Sequence, residues 1–263
     1  MKRTAPISTE NRCEGHTEKT AYGCCFGDCL FAVLMTFFLY TGTILFNNPS
    51  REKYPVRGVD VSRHQGDINW KVLSQQDIAF AYIKATEGSN FVDKNFMKNF
   101  SGASETALRV GAYHFFSYDS SGEAQYENFI SVVPLRENML PPVVDIEFYG
   151  DKEENLPDRE KTKTELKILL QLLEKHYQMK PVIYTTGNVY DLYIIDDFYE
   201  NDIWIRNIFT EPRLADGRPW KFWQYTAREK LAGYDGREKY IDMNAFAGTP
   251  QEFAVYPARL GAP

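Results

Sequence analysis

PPVVDIEFYG, residues 141–150, sets two carboxylates, Asp145 and Glu147, at the end of an apolar run. Pro141 and Pro142 lead into Val143, Val144 and Ile146, and Gly150 closes the segment. The run reads as a buried strand that ends at a turn. Side chains of a strand alternate between its faces, so Asp145 and Glu147 share one side, and Val144 and Ile146 the other. The two acidic Cα atoms then lie about 6–7 Å apart, two rises of the strand. Acids this close repel, which favours one of them keeping its proton at neutral pH and suits a general acid. The plain alternative is an Asp and a Glu solvated by a loop at a strand end.

Outward from this segment, apolar strand-like runs recur at 56–62, 78–86, 109–116, 141–147, 181–186, 202–207, 220–226 and 239–246. Helical patterns fall between several of them. The clearest is 158–179, with Leu166, Leu169, Leu170 and Leu173 at helix spacing and an acidic start. Eight strands with intervening helices predict an α/β fold, a TIM-like (β/α) barrel with parallel strands. The connections 207–220 and 226–239 are too irregular for full helices, so the barrel is expected to be irregular or incomplete in its C-terminal half. Chemistry in such a barrel sits at the C-terminal ends of the strands. The strand ends here offer Asp60, Lys84 and Glu87, Tyr113 and His114, Asp145 and Glu147, Tyr184, Trp204, Gln224, and Asp242 with Asn244. Acids and aromatics on one rim suit a sugar groove, where rings stack and carboxylates cut.

The whole chain has 263 residues, 43% hydrophobic and 15% aromatic, enough for one large core or two small ones. Its net charge of −6, with no basic block, argues against a nucleic-acid partner. All four cysteines, Cys13, Cys24, Cys25 and Cys29, precede residue 30, so the main domain has neither a disulfide framework nor a thiolate metal site. Reduced thiols are the simplest reading of them. Residues 30–46, LFAVLMTFFLYTGTILF, carry no charge. Seventeen residues reach the short end of a bilayer span. No small-residue cleavage site follows, and the polar stretch after it offers nothing to pack on, so a single-pass signal anchor is expected rather than a cleaved signal or a core helix. Basic residues flank both ends and orient it weakly.

The segments GVDVSRHQGDINW, KATEG, VGAYHFF, PPVVDIE, VIYTT, FWQYT and IDMNAFAG follow one another in an order and spacing that resembles the glycoside hydrolase family 25 lysozymes, the Chalaropsis-type N-acetylmuramidases. The resemblance covers residue 56 to about 250 and rests on the ordered set rather than on any one motif. It implies a lysozyme that hydrolyses β-1,4 bonds between N-acetylmuramic acid and N-acetylglucosamine in peptidoglycan, for cell-wall remodelling or lysis. Glu147 then matches the general acid and Asp145 its partner carboxylate. Asp60, Asp242, Tyr113 and Tyr184 match groove residues, and Trp204 and Gln224 match further substrate-binding positions. Arg206, in WIRN, stands where such enzymes commonly carry small or uncharged residues. The implied layout is an N-terminal cytoplasmic segment (1–29), a transmembrane signal anchor (30–46), a linker (47–55) and a monomeric, extracytoplasmic catalytic barrel (56–263). No metal and no cofactor are expected, since neither His64 nor His176 has a partner at metal-like spacing.

Competing readings accompany each assignment. Asp60 can be a turn acid before Ser62, His114 a packed rim residue rather than a base, and Lys84 with Glu87 a structural ion pair. Trp220 and Trp223 read as core. Asp145 can attack the anomeric carbon directly or orient the substrate's own 2-acetamido group, as in substrate-assisted chitinases; the second is the preferred expectation. A non-cleaving peptidoglycan-binding module and a chitinase-like hydrolase are the alternative functions.

Overall fold

The computed structural model describes residues 29–38 and 47–257. The chain divides into two compact units, Met1–Ile44 and Leu45–Pro263. In the first, residues 29–38 form a helix, α1, whose Leu30, Phe31, Val33, Leu34 and Phe37 are exposed. The expected span 30–46 lies only partly within it, because residues 39–46 fall outside the described residues. Among the described residues, no helix is long and apolar enough to cross a membrane.

The second unit is built on strands β1 (Arg57–Val61), β2 (Phe80–Glu87), β3 (Phe91–Val92), β4 (Arg109–Phe115), β5 (Val143–Ile146), β6 (Val182–Thr186), β7 (Ile203–Arg206), β8 (Phe222–Glu229) and β9 (Ile241–Phe246). They pair in the order β1-β9-β8-β7-β6-β5-β4-β2-β3, and β1 also pairs with β2. Eight strands therefore close into a barrel, with β3 folded back on β2 as a short hairpin. The eight expected runs are these eight strands. The barrel is closed rather than incomplete, and its irregularity takes a different form. Strand β9 runs antiparallel to both neighbours, against the expected all-parallel order. The physical reason is the connection 230–240, which contains no helix. A parallel crossover needs a dozen or more residues, usually a helix, whereas antiparallel strands join through a short loop.

Helices α2 (Trp70–Leu73), α3 (Phe96–Ser104), α4 (Gly122–Ile130) and α5 (Arg159–Tyr177) follow β1, β3, β4 and β5; after β6 come α6 (Gly187–Val189) and a π-helical turn (Tyr190–Ile194), and α7 (Pro250–Ala254) follows β9. Helix α5 forms as its pattern requires. Asp158 caps it by accepting from the Lys161 amide at 2.8 Å, and Gln178 ends it in the left-handed region. Leu166, Leu169, Leu170 and Leu173 are all buried in the layer between barrel and helices. Replacing Leu169 by alanine is expected to cost about 2–5 kcal/mol of stability, read as a lower urea midpoint. The exposed Lys167→Ala is expected to stay within about 0.5 kcal/mol.

Inside the barrel a second apolar cluster fills the end away from the cleft. Phe80, Tyr82, Val143, Val182, Phe222 and Phe246 pack there, and Phe253 of α7 plugs it, 5.5 Å from Phe80 and 5.0 Å from Phe246 between ring centroids. Aromatics this large fit only where neighbours give way. A Cβ on Gly111 would sit 2.2 Å from the Tyr82 ring. The apolar plug leaves the other half of the interior for polar side chains.

Candidate active site

Strand alternation decides which residues enter the barrel. On β5, Val143 joins the interior plug while Val144 and Ile146 join the outer layer. Asp145 follows Val143 inward, and Glu147 stands one residue beyond the strand's end. Both line an open cleft of about 400 Å³ at the C-terminal rim, together with Asp60, Lys84, Tyr113, Phe115, Tyr184, Trp204, Arg206, Gln224 and Asp242. All eight site residues expected from the sequence are brought to this one cleft. It runs on into an adjoining hollow of about 320 Å³ that shares Asp60, Ser62, His64, Tyr113 and Asp242 and adds Gln65, Glu238 and Tyr240. The 230–240 connection walls this extension. Its Gly236 amide donates to the Gln65 carbonyl at 3.0 Å and its Glu238 amide to the His64 carbonyl at 3.2 Å. At Gly236 a Cβ would collide with backbone, 2.2 Å from the Gln65 carbonyl carbon.

The antiparallel course of β9 is what delivers Asp242. It is the second residue of that strand, so only a reversed strand carries it to the rim where the other strands end. There it pairs in register with Asp60 of β1. Two carboxylates directly opposite repel. Burial first, and Asp60 second, hold the Asp242 carboxyl well above the usual carboxylate range.

A hydrogen-bonded frame supports Asp60. Gln224 Nε2 donates to Asp60 Oδ1 at 3.0 Å, and Asn244 Nδ2 donates to the same oxygen at 2.7 Å. Each amide oxygen is in turn used: Gln224 Oε1 accepts from the Tyr184 hydroxyl at 3.0 Å, and Asn244 Oδ1 accepts from Trp204 Nε1 at 2.9 Å. Asp60 is thus a buried member of β1 and not a turn acid. Burial raises its pKa and the two amides oppose that rise. Trp204 and Gln224 line the cleft, yet their polar atoms are engaged inside the barrel. Alternation along IDMNAF places Asn244 at the rim with Asp242 but gives it no site role; the structure shows it holding Asp60.

Asp145 is 8% exposed, and its Oδ1 has no hydrogen-bond partner among the described residues. Burial, then Glu147, push its carboxyl well above the ordinary range. Glu147 is raised as well, by burial foremost, with Arg206 and Lys84 pulling it back and Asp60 adding to the rise. Burial, rather than Asp145, is the main cause of the rise at Glu147. The two acids titrate as a linked pair, and the retained proton belongs to the pair. Tyr113 and Tyr184 are held neutral far into the alkaline range by burial and the surrounding acids.

His114 faces the opposite side of β4. Its Nδ1 lies 2.7 Å from Thr86 Oγ1 and its Nε2 3.0 Å from Gln125 Oε1. Since that amide oxygen can only accept, Nε2 carries the proton and Nδ1 accepts from Thr86. Burial lowers its pKa to about 4. It packs outside the cleft and is no base there. A one-residue bulge between Lys84 and Thr86 makes this possible, letting Lys84 enter the cleft while Ala85 and Thr86 both face the outer layer. Lys84 and Glu87 form the expected ion pair at 2.8 Å. Trp223 is core, and Trp220 packs on it and on Tyr54. Among the described residues no group of three or more His, Cys, Asp or Glu is placed to hold a metal ion.

An acid-lined cleft on the C-terminal rim of an α/β barrel is the arrangement in which paired carboxylates cut glycosidic bonds. The chain belongs to the glycosyl hydrolases family 25, whose family model matches residues 59–234. A family 25 glycosyl hydrolase from Bacillus anthracis has a similar structure, with a TM-score of 0.77 and 52% identity over 81% of this chain and 97% of that one. The structure of the bacterial lysozyme from Streptomyces coelicolor is similar at a TM-score of 0.68 and 30% identity, covering 76% of this chain and 95% of that one. Lysozyme M1 of Streptomyces globisporus is 32% identical over 214 residues, 74% of this chain and 68% of that protein.

Proposed function

We propose that the protein is a lysozyme, an N-acetylmuramidase that hydrolyses the β-1,4 bond between N-acetylmuramic acid and N-acetylglucosamine in peptidoglycan. The observation that carries this reading is the Asp145–Glu147 pair, turned into one cleft, with both carboxyls raised by burial above the usual carboxylate range. In this reading Glu147, the less buried of the two, protonates the departing glycosidic oxygen. Asp145 lies deeper, beneath the bond, and steadies the 2-acetamido group as it closes on the anomeric carbon. Its unpartnered Oδ1 supports this role, since it is an acceptor waiting for a donor N–H. Asp60, its carboxylate supported by the amides of Gln224 and Asn244, supplies negative potential for the cationic transition state, and Asp242, Tyr113 and Tyr184 line the sugar's path. The long cleft and its extension suit a polymer rather than a small sugar.

Mass spectrometry of products released from purified peptidoglycan tests this reading. Muropeptides ending in reducing muramic acid are expected. Products ending in glucosamine mark a chitinase-like enzyme, and binding without new reducing ends marks a non-cleaving module.

The remaining proposal concerns placement. The uncharged run 30–46 would anchor the chain, with residues 1–29 cytoplasmic, 47–55 a linker and 56–263 facing the wall. The substrate's extracytoplasmic location and the exposed apolar side chains of α1 support it. The full-length protein is expected in the membrane fraction, its C-terminal domain open to protease from outside. Recovery of the intact chain as a soluble protein would reject the anchor.

A further inference from the structure

We propose that Arg206 selects the charged glycan: its guanidinium receives a free carboxylate on the sugar strand and makes the cleft prefer an acidic substrate to a neutral one. The proposal rests on the muramidase reading and adds a recognition residue to it.

Strand register locates the group. Ile146 of β5 pairs with Thr185, Thr186 of β6 pairs with Arg206, and Arg206 pairs with Gln224 of β8. Glu147 and Arg206 therefore stand at the same level of the rim, two strands apart. Arg206 is half-buried and lines the cleft. Among the described residues its guanidinium makes no hydrogen bond or ion pair. The other strong cation in the cleft is committed, since Lys84 lies 2.8 Å from Glu87 and 4.6 Å over the Phe115 ring. Gln224, its neighbour on β8, spends its amide on Asp60 and Tyr184.

A planar guanidinium with five unspent donors in a partly dry cleft is built for bidentate contact with a carboxylate. The need for it follows from the surroundings. Four acids, Asp60, Asp145, Glu147 and Asp242, line the same space and would repel an anionic ligand. Chitin carries no anion, whereas peptidoglycan carries carboxylates from two sources: the lactyl ether of muramic acid where the peptide has been removed, and the stem peptide where it remains. The plain alternative is that Arg206 only offsets the field of the acids, which is consistent with its pull on the Glu147, Asp60 and Asp242 carboxyls.

Calorimetric binding separates the two without requiring turnover. The Glu147→Gln protein and the Glu147→Gln/Arg206→Gln protein are titrated with four probes. These are a peptide-free muramic acid–glucosamine tetrasaccharide, the same with its carboxylates converted to methylamides, the same bearing stem peptides, and chitotetraose. Arg206→Gln is expected to weaken binding of carboxylate-bearing probes about tenfold to a hundredfold, with the neutral probes unchanged within about twofold. Arg206→Lys should recover part of the loss. Loss on the peptide-free strand identifies the lactyl carboxylate, and loss only on the peptide-bearing strand identifies the stem. Equal weakening on all four probes, no weakening on any, or no binding of any by the Glu147→Gln protein would overturn the proposal. Failure of the muramidase reading has a different sign, an absence of bond cleavage by the wild-type protein.

Discussion

Glu147→Gln is expected to give a folded protein whose lytic activity is about 10²–10⁴-fold lower, the usual contribution of a general acid. Glutamine matches the shape of glutamate but has no proton to give. The position allows a clean reading, because Glu147 is half-buried at the rim and makes no hydrogen bond or ion pair among the described residues that its loss would break. The thermal midpoint should therefore stay close to that of the wild type while turnover collapses. Near-wild-type lysis by a folded Glu147→Gln protein would remove Glu147 from its role and shift attention to Asp145, Asp60 or Asp242.

Asp145→Asn carries the second large effect, and it moves activity and stability in opposite directions. An amide can still contact the acetamido group but cannot stabilise the positive charge that develops as the ring closes. Electrostatic support of that kind is often worth about 3–4 kcal/mol, or roughly 10²–10³-fold in rate. Stability follows from the raised pKa. The folded state binds the Asp145 proton more tightly than the unfolded chain, so its stabilising contribution is full below the unfolded value of about 3.9 and is lost as pH rises through the folded value. At neutral pH the carboxyl therefore burdens the fold, and asparagine relieves it. A rise in Tm of about 2–4 °C at pH 7 is expected, what about 1 kcal/mol is worth in a domain of this size, shrinking as pH falls toward 4. A fall in Tm at pH 7 would contradict this.

The chemical role of Asp145 has its own measurement. Wild-type protein incubated with a 2-fluoro glycoside should show no stable sugar adduct by intact mass spectrometry, and the product should retain its anomeric configuration. An adduct on Asp145 would make it a direct nucleophile in place of an orienting acid. An inverted product would exclude both and leave an acid of the cleft to activate water.

What could be read from the sequence follows from how local the signal is. The alternation in PPVVDIE already placed Asp145 and Glu147 on one face, because a strand's side chains reverse at every residue whatever surrounds it. The leucines of α5 faced the barrel for the equivalent reason at helical period. His114 was harder, since its inward or outward course depends on the phase of β4, and its partner Thr86 reaches it only because β2 bulges. A bulge changes phase without a consistent mark in the residue string.

The sequence by itself determined eight strands, their inward acids, and the absence of helices in the last two connections, since each depends on neighbours a few residues apart. Tertiary structure alone decided the direction of β9, and with it the meeting of Asp242 and Asp60. It alone also joined Tyr184, Gln224, Asp60, Asn244 and Trp204 into one frame and left the Arg206 guanidinium without a hydrogen bond or ion pair among the described residues. The physical reason is barrel closure, which sets side by side residues as far apart in the chain as Asp60 and Asn244. Contacts at that separation depend on the packing of the whole and leave no periodic trace in the chain.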